Sequence, residues 1–133
     1  MMKVDGRCQC GSIRYEGLVD PAKVRLCHCR DCQLFSGSAY RVVVAVDKAS
    51  FVLHGEPKIY VKTADSGARR VQSFCGDCGS PVYASSEHDP QVYVLRVGCL
   101  TQREQLAPTL QIWRRSALPW ADQFSGIESH DGQ

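Results

Sequence analysis

The chain has 133 residues, 44% hydrophobic and 23% charged, which is enough apolar material for one domain's core and too much for a disordered chain. Lys and Arg number 16 and Asp and Glu 14, leaving +2 with His neutral, a balance that gives no electrostatic footprint for nucleic acid or an anionic membrane. The longest apolar run, Val42 to Val46, is far short of the roughly 20 residues that cross a bilayer, and the N-terminus carries no apolar stretch of signal-peptide length, so a soluble, cytoplasmic protein is expected.

Period-two patterning dominates. Ser12 to Gly17 sets Ile13 and Tyr15 on one face and Arg14 and Glu16 on the other, the pattern of a half-buried strand. Strands are expected next at Lys23 to Cys27 and over the Val- and Tyr-rich Ser38 to Asp47. Phe51 to His54 and Lys58 to Thr63 follow, punctuated by Gly55 and Pro57. Val71 to Phe74 leads into Cys75, and Val82 to Ser85 leads out of the segment Cys75–Gly79. Gln91 to Gly98 is largely apolar on both faces, which predicts a central strand. Thr109 to Trp113 is a further short strand. Helical signal is confined to Arg30 to Phe35, ended by Gly37, and to Thr101 to Leu106, with Thr101 as N-cap and Glu104 three residues on. Gly126 to Gln133 is polar and is expected to fray. About eight short strands with little helix predict an all-β, β-rich domain.

The unusual component is 8 Cys. They cluster as Cys8/Cys10, Cys27/Cys29/Cys32 and Cys75/Cys78, with Cys99 alone. In a reducing compartment, thiols at one- and two-residue gaps read as metal ligands rather than as disulfides. Cys75-Gly76-Asp77-Cys78-Gly79 is a Cys-x-x-Cys knuckle, with Gly76 and Gly79 available for the positive φ that such turns use. It needs two more ligands, and Cys8-Gln9-Cys10 offers them if i and i+2 of an extended segment point the same way. Cys8, Cys10, Cys75 and Cys78 then form a closed, structural zinc site. Cys27, Cys29 and Cys32 can wrap a second zinc within one loop. Three protein ligands leave a position open, the pattern of catalytic zinc, and a substrate thiol suits that position. His28 alternates with Cys27 and Cys29 and so points away, and Cys99 at the end of an apolar strand reads as a small buried hydrophobe.

Three segments carry a family resemblance. Gly6-Arg7-Cys8-Gln9-Cys10-Gly11-Ser12-Ile13-Arg14-Tyr15, then Cys27-His28-Cys29-Arg30-Asp31-Cys32 running into Ser36-Gly37-Ser38, then Phe74-Cys75-Gly76-Asp77-Cys78-Gly79-Ser80-Pro81 resemble the glutathione-dependent formaldehyde-activating enzyme family, which includes the centromere protein V domain. Ile112-Trp113 and Pro119-Trp120 fit the same pattern. The likeness spans about Gly6 to Phe124, so residues 1–133 are expected to form a single domain with a frayed tail over 126–133. It implies a β-tent fold similar to type-B methionine sulfoxide reductases. It also implies two zincs in the four-Cys and three-Cys division reached above, and a carbon–sulfur lyase activity that joins glutathione and formaldehyde as S-hydroxymethylglutathione. Two positions depart from the family pattern: Gln111 stands where a His is common, and Cys99 where Ser or Thr is expected. An amide does not titrate, so Gln111 cannot take over proton transfer from a His.

The expected function is therefore that of a zinc-dependent lyase acting on a glutathione-like thiol and an aldehyde, with Cys27, Cys29 and Cys32 catalytic through the metal. Arg30, Arg41, Arg69 and Arg70 are candidates to hold the thiol's carboxylates. The alternative is a non-catalytic two-zinc protein-binding module. Nucleic acid is not an expected partner, because seven thiolates on two Zn²⁺ would bring the net charge below zero. A reductase reading rests on fold analogy alone and would need Cys99 as its free thiol.

Overall fold

A computed structural model describes Met1–Gln133. Its strands are β1 (Met2–Arg7), β2 (Arg14–Val19), β3 (Arg25–Cys27), β4 (Arg41–Asp47), β5 (Val52–His54), β6 (Lys58–Thr63), β7 (Arg69–Phe74), β8 (Pro81–Ser86), β9 (Val92–Arg96) and β10 (Leu110–Ile112). The single α-helix, α1, covers Arg30–Ser36 between β3 and β4. The strands join in one sheet whose main path runs β1-β2-β4-β9-β8-β7-β6, with β5 beside β2 and β3 linking β4 to β10. Every pairing is antiparallel except that of β10 with β3. The all-β expectation holds.

Alternation decides which side chains enter the core. Val44 and Val46 of β4 and Leu95 of β9 are fully buried, and they meet Val4, Val19, Val82, Leu100 and Leu106. β9 lies between β4 and β8, as two apolar faces require. The strand ends at Arg96, however, and Val97–Cys99 turn as a 3₁₀ segment rather than extending to Gly98.

Sequence patterning gives no sign of β1, whose Lys3, Asp5 and Arg7 face solvent. The strand forms because Val4 enters the core and because Gly6 lies opposite Tyr15 in the β1–β2 register. A Cβ on Gly6 would stand 2.5 Å from the Tyr15 ring, so only glycine lets that buried ring lie on the β1 backbone.

Three local expectations are corrected. Cys8–Cys10 is not extended: Gly11 N–H donates to Cys8 C=O (3.1 Å), and Gly11 takes φ +82°, so a turn presents both sulfurs. In the knuckle only Gly79 has positive φ (+77°). Gly76 has no positive φ, and a Cβ there would meet only the flexible Lys58 side chain, at 3.0 Å. Thr101 caps no helix. The 3₁₀ turn is Arg103–Gln105, without a side-chain cap, and Thr101 Oγ1 donates to Asp5 Oδ2 at 2.7 Å.

Candidate metal centres and the cleft between them

The sheet brings the N-terminal turn against the knuckle between β7 and β8. Cys8, Cys10, Cys75 and Cys78 place their four Sγ atoms within 4.8 Å of one another. Cys8 to Cys10 is 3.6 Å and Cys10 to Cys75 is 3.7 Å. These separations are far longer than a disulfide bond, and they match the edge of about 3.8 Å of a tetrahedron with Zn–S near 2.3 Å. All eight cysteines are free thiols. The donor set fits a closed metal site.

Neighbouring groups stabilise negative sulfur there. The Ile13 N–H donates to Cys8 Sγ (3.3 Å). The Ser12 hydroxyl lies 3.2 Å from Cys10 Sγ and 3.3 Å from Cys75 Sγ. Ser80 Oγ lies 3.3 Å from Cys78 Sγ and accepts the Gln9 N–H at 2.9 Å, which ties the two halves of the site together. Hydrogen bonding by Ser80, through its hydroxyl and backbone, holds the Cys78 thiol down to about 5. Burial pushes the Cys8 thiol up, but the Ile13, Ser12, Cys10 and Cys75 hydrogen bonds together bring it down to about 7.

The second group sits at the junction of β3 and α1, where Cys27, Cys29 and Cys32 also lie within 4.8 Å of one another at sulfur. Cys27 ends β3. Cys29 is the N-cap of α1, its sulfur accepting the Cys32 N–H at 3.4 Å. Gly37 closes the helix in the left-handed region (φ +63°), its N–H donating to Gln33 C=O at 2.8 Å. The buried Gln33 amide donates to His28 C=O (2.9 Å) and Ser116 C=O (3.0 Å), so the cysteine loop is fastened from behind. Burial pushes the Cys27 thiol up to about 12 and raises Cys32 despite the Arg41 guanidinium beside it. Metal binding by the buried Cys27 and Cys32 must therefore displace protons.

His28 turns away from the sulfurs, as alternation requires. It is buried, and its Nε2 donates to Gln111 Oε1 at 2.8 Å. Gln111 thus serves as an acceptor, which an amide can do where it cannot shuttle a proton. Cys99 belongs to neither cluster. It is partly buried against the Pro81 carbonyl, and burial raises its thiol.

Of the four candidate arginines, Arg30 is solvent-exposed, Arg69 pairs with Glu87 at 2.9 Å, and Arg70 lies on β7 outside the lining of the cavities that hold Arg41. Arg41 alone reaches a cleft. That cleft, about 190 Å³, is lined by Arg41, Arg96, Gln72 and Ser73 and walled by Phe35 and Tyr60. A shallower cavity shares Phe35, Arg41 and Arg96 with it and extends to Cys99. The cleft lies between the two centres: Arg41 sits opposite Cys27 in the β3–β4 register and its positive charge favours the Cys32 thiolate, while Gly79 of the knuckle forms part of the far wall. Phe35 packs tilted against Tyr60 (6.1 Å between centroids, 54° between planes) and carries Arg41 over its ring at 5.5 Å. An ion pair between Lys62 and Asp31 at 2.6 Å ties β6 to α1 across the same edge. Sequence reasoning did not foresee Arg96, Gln72, Ser73 or Tyr60. The one available signal was a charged Arg96 between Leu95 and Val97 in an otherwise apolar strand.

Residues 3–116 match the family described as glutathione-dependent formaldehyde-activating enzyme. A protein of Schizosaccharomyces pombe named as an uncharacterized lyase is 24% identical over 95 residues, which is 71% of this chain and 66% of that one, just under two thirds of the relative's length. A crystal structure of a Rhodobacter sphaeroides protein matches with a TM-score of 0.61 at 18% identity, covering 80% of this chain and 98% of the other. That last likeness is one of fold.

Proposed function

We propose, from the premise that this chain belongs to the glutathione-dependent formaldehyde-activating enzyme family, that it is a zinc-dependent enzyme of the carbon–sulfur lyase type. It joins a glutathione-like thiol to an aldehyde such as formaldehyde, or cleaves the resulting S-hydroxymethyl adduct. The reading takes residues 1–133 as one cytoplasmic domain of β-tent type with two zincs. Cys8, Cys10, Cys75 and Cys78 hold the structural ion, and Cys27, Cys29 and Cys32 hold the catalytic one.

The observation that carries this reading is the second cluster: three sulfurs, not four, within 4.8 Å and beside an arginine-lined cleft. Zinc bound there supplies a free coordination position and a positive charge that favour a thiol in its thiolate form. The chain's own groups do the remaining work. Cys29 and Gln33 fix the loop, so the three sulfurs are preorganised. Phe35 and Tyr60 give the cleft an aromatic wall. Arg41 sets a fixed positive charge next to Cys32. In the reaction the sulfur–carbon bond forms, the carbonyl π pair moves to oxygen, and the thiol proton ends on that oxygen, so atoms and charge balance.

The test is exchange NMR with ¹³C-formaldehyde and glutathione at equilibrium. The protein is expected to speed interconversion of free and S-hydroxymethyl carbon over the protein-free rate, and Cys29→Ser to remove that increase. No acceleration with any small thiol, in a protein carrying two zincs, would exclude the lyase reading in favour of the binding module.

A further inference from the structure

Arg7 closes β1 and Arg14 opens β2, and the antiparallel register sets them directly opposite each other. Like charges placed so repel, yet neither guanidinium takes a carboxylate partner. Carboxylates stand two positions away on the same face of the sheet: Glu16, which pairs with Lys3 at 3.6 Å, and Asp5, held by Thr101 and Gln102. The arginines reach instead to the Cys8–Gly11 turn. Arg7 Nη1 donates to Gln9 C=O at 3.5 Å and Arg14 Nε to Gly11 C=O at 3.3 Å, the carbonyls on either side of Cys10. A Cβ on Gly11 would stand 3.9 Å from Arg7 Nη1 and 3.9 Å from Arg14 Nη2, so both heads converge on one point of the turn. Lys58 of β6, another cation without an ion-pair partner, lays its stem across Gly76 of the knuckle. Both halves of the four-cysteine centre are thus flanked by fixed positive charge.

Four thiolates around one zinc dication leave two excess negative charges, and Asp77 within the knuckle adds another. Cys10 and Cys78 are the exposed members of the set, so small electrophiles in solvent can reach them. Zinc binding takes the protons off these sulfurs. Nearby positive charge then creates no further thiolate; it lowers the basicity of the sulfur and with it the nucleophilicity. We propose that Arg7, Arg14 and Lys58 form a cationic screen that keeps the four-cysteine thiolates unreactive toward electrophiles, aldehydes included. The reaction it suppresses is addition of a Cys10 or Cys78 sulfur to a carbonyl carbon. In that addition the sulfur–carbon bond forms, the π pair moves to oxygen, water protonates that oxygen, and the sulfur leaves the ligand set. The screen rests on zinc held by Cys8, Cys10, Cys75 and Cys78 as proposed above, and is independent of the lyase reaction.

The test uses the zinc-loaded full chain and iodoacetamide, a neutral electrophile that the screen neither attracts nor repels. Alkylation joins sulfur to the methylene carbon and expels iodide. Zinc release is followed with a chromogenic chelator and the modified positions by mass spectrometry, at fixed pH. In the unaltered protein, raising salt to about 0.5 M screens exposed charges, and alkylation of Cys10 and Cys78 is expected to speed up, with zinc release following it. Arg7→Gln with Arg14→Gln, and separately Lys58→Gln, are expected to raise those rates at low salt roughly threefold, the scale of one exposed ion pair, and to weaken the salt effect. Arg7→Lys with Arg14→Lys keeps the charge without the guanidinium fork and is expected to restore the parent rate. A lysine pair as reactive as the glutamine pair would overturn the proposal, since the arginines would then act by holding the turn and not by charge. Salt-independent alkylation of the unaltered protein would overturn it too, and that measurement needs no variant to fold. Metal analysis separates the two readings. Zinc on the four-cysteine centre with equal rates throughout overturns the screen alone, whereas no zinc there overturns the metal assignment and the screen together.

Discussion

Cys10 and Cys75 are separated by 65 positions in the chain and by 3.7 Å at sulfur. No contact local in sequence enforces that approach. It closes the first turn of the chain onto the knuckle that leads into β8. A metal shared by these residues thus fixes two distant parts of the fold at once, whereas Cys27, Cys29 and Cys32 belong to one short loop.

Unequal consequences follow for the two centres. A structural zinc contributes about 10–16 kcal/mol, comparable to a domain's net stability of about 5–15 kcal/mol. Cys75→Ser should therefore give an unfolded chain by circular dichroism. Cys29→Ser should stay folded with one zinc by metal analysis, since serine also accepts the Cys32 N–H as an N-cap. Equal unfolding of both variants would show that the centres are not divided in this way.

Gly6→Ala should destabilise the protein by about 1–3 kcal/mol, because its new methyl would overlap the buried Tyr15 ring. Urea unfolding, read as a fall in midpoint at constant slope, measures it. Gly98→Ala is the control: nothing lies within 4 Å of that Cβ, and its midpoint should move far less.

Gln33→Leu removes the donor shared by the His28 and Ser116 carbonyls. Leaving buried acceptors unmatched costs about 1–3 kcal/mol. The loss should appear in thermal unfolding, and zinc should leave the three-cysteine site faster under a chelator than in the parent. An unchanged release rate would mean that the loop does not depend on this fastening.

Asp5 supplies a pH-dependent contribution. The Gln102 amide and the Thr101 hydroxyl donate to its carboxylate at 2.7 Å each and hold its pKa below the usual range. A carboxyl depressed in the folded state stabilises above its unfolded pKa of about 3.9, and that contribution is lost as pH falls through the lowered folded value. The group is exposed, so the effect should stay under about 1 kcal/mol. The stability difference between parent and Asp5→Asn should accordingly be larger at pH 6 than at pH 3. A difference independent of pH would mean the carboxylate's charge plays no part.

The sequence by itself determined the class of fold and the short cysteine clusters, whereas the meeting of Cys8 and Cys10 with Cys75 and Cys78 is a product of the sheet. Alternation of apolar and polar residues is a local property, and so is the short spacing within each cysteine cluster; both survive without knowledge of neighbours. β6 was legible to its ends, and Arg30–Ser36 with its Gly37 cap nearly so, because each is set by its own residues. Only the tertiary structure decided what depends on pairing across the sheet. β1 exists because Tyr15 lies over Gly6, and the turn at Cys8–Cys10 could not be separated from a strand by the spacing of two sulfurs. Arg41, Gln72 and Arg96 come from β4, β7 and β9, and their hydrogen bonds span 31 and 24 positions. The cleft they form has no motif, since its charge arises where three strands place side chains that the chain order keeps apart.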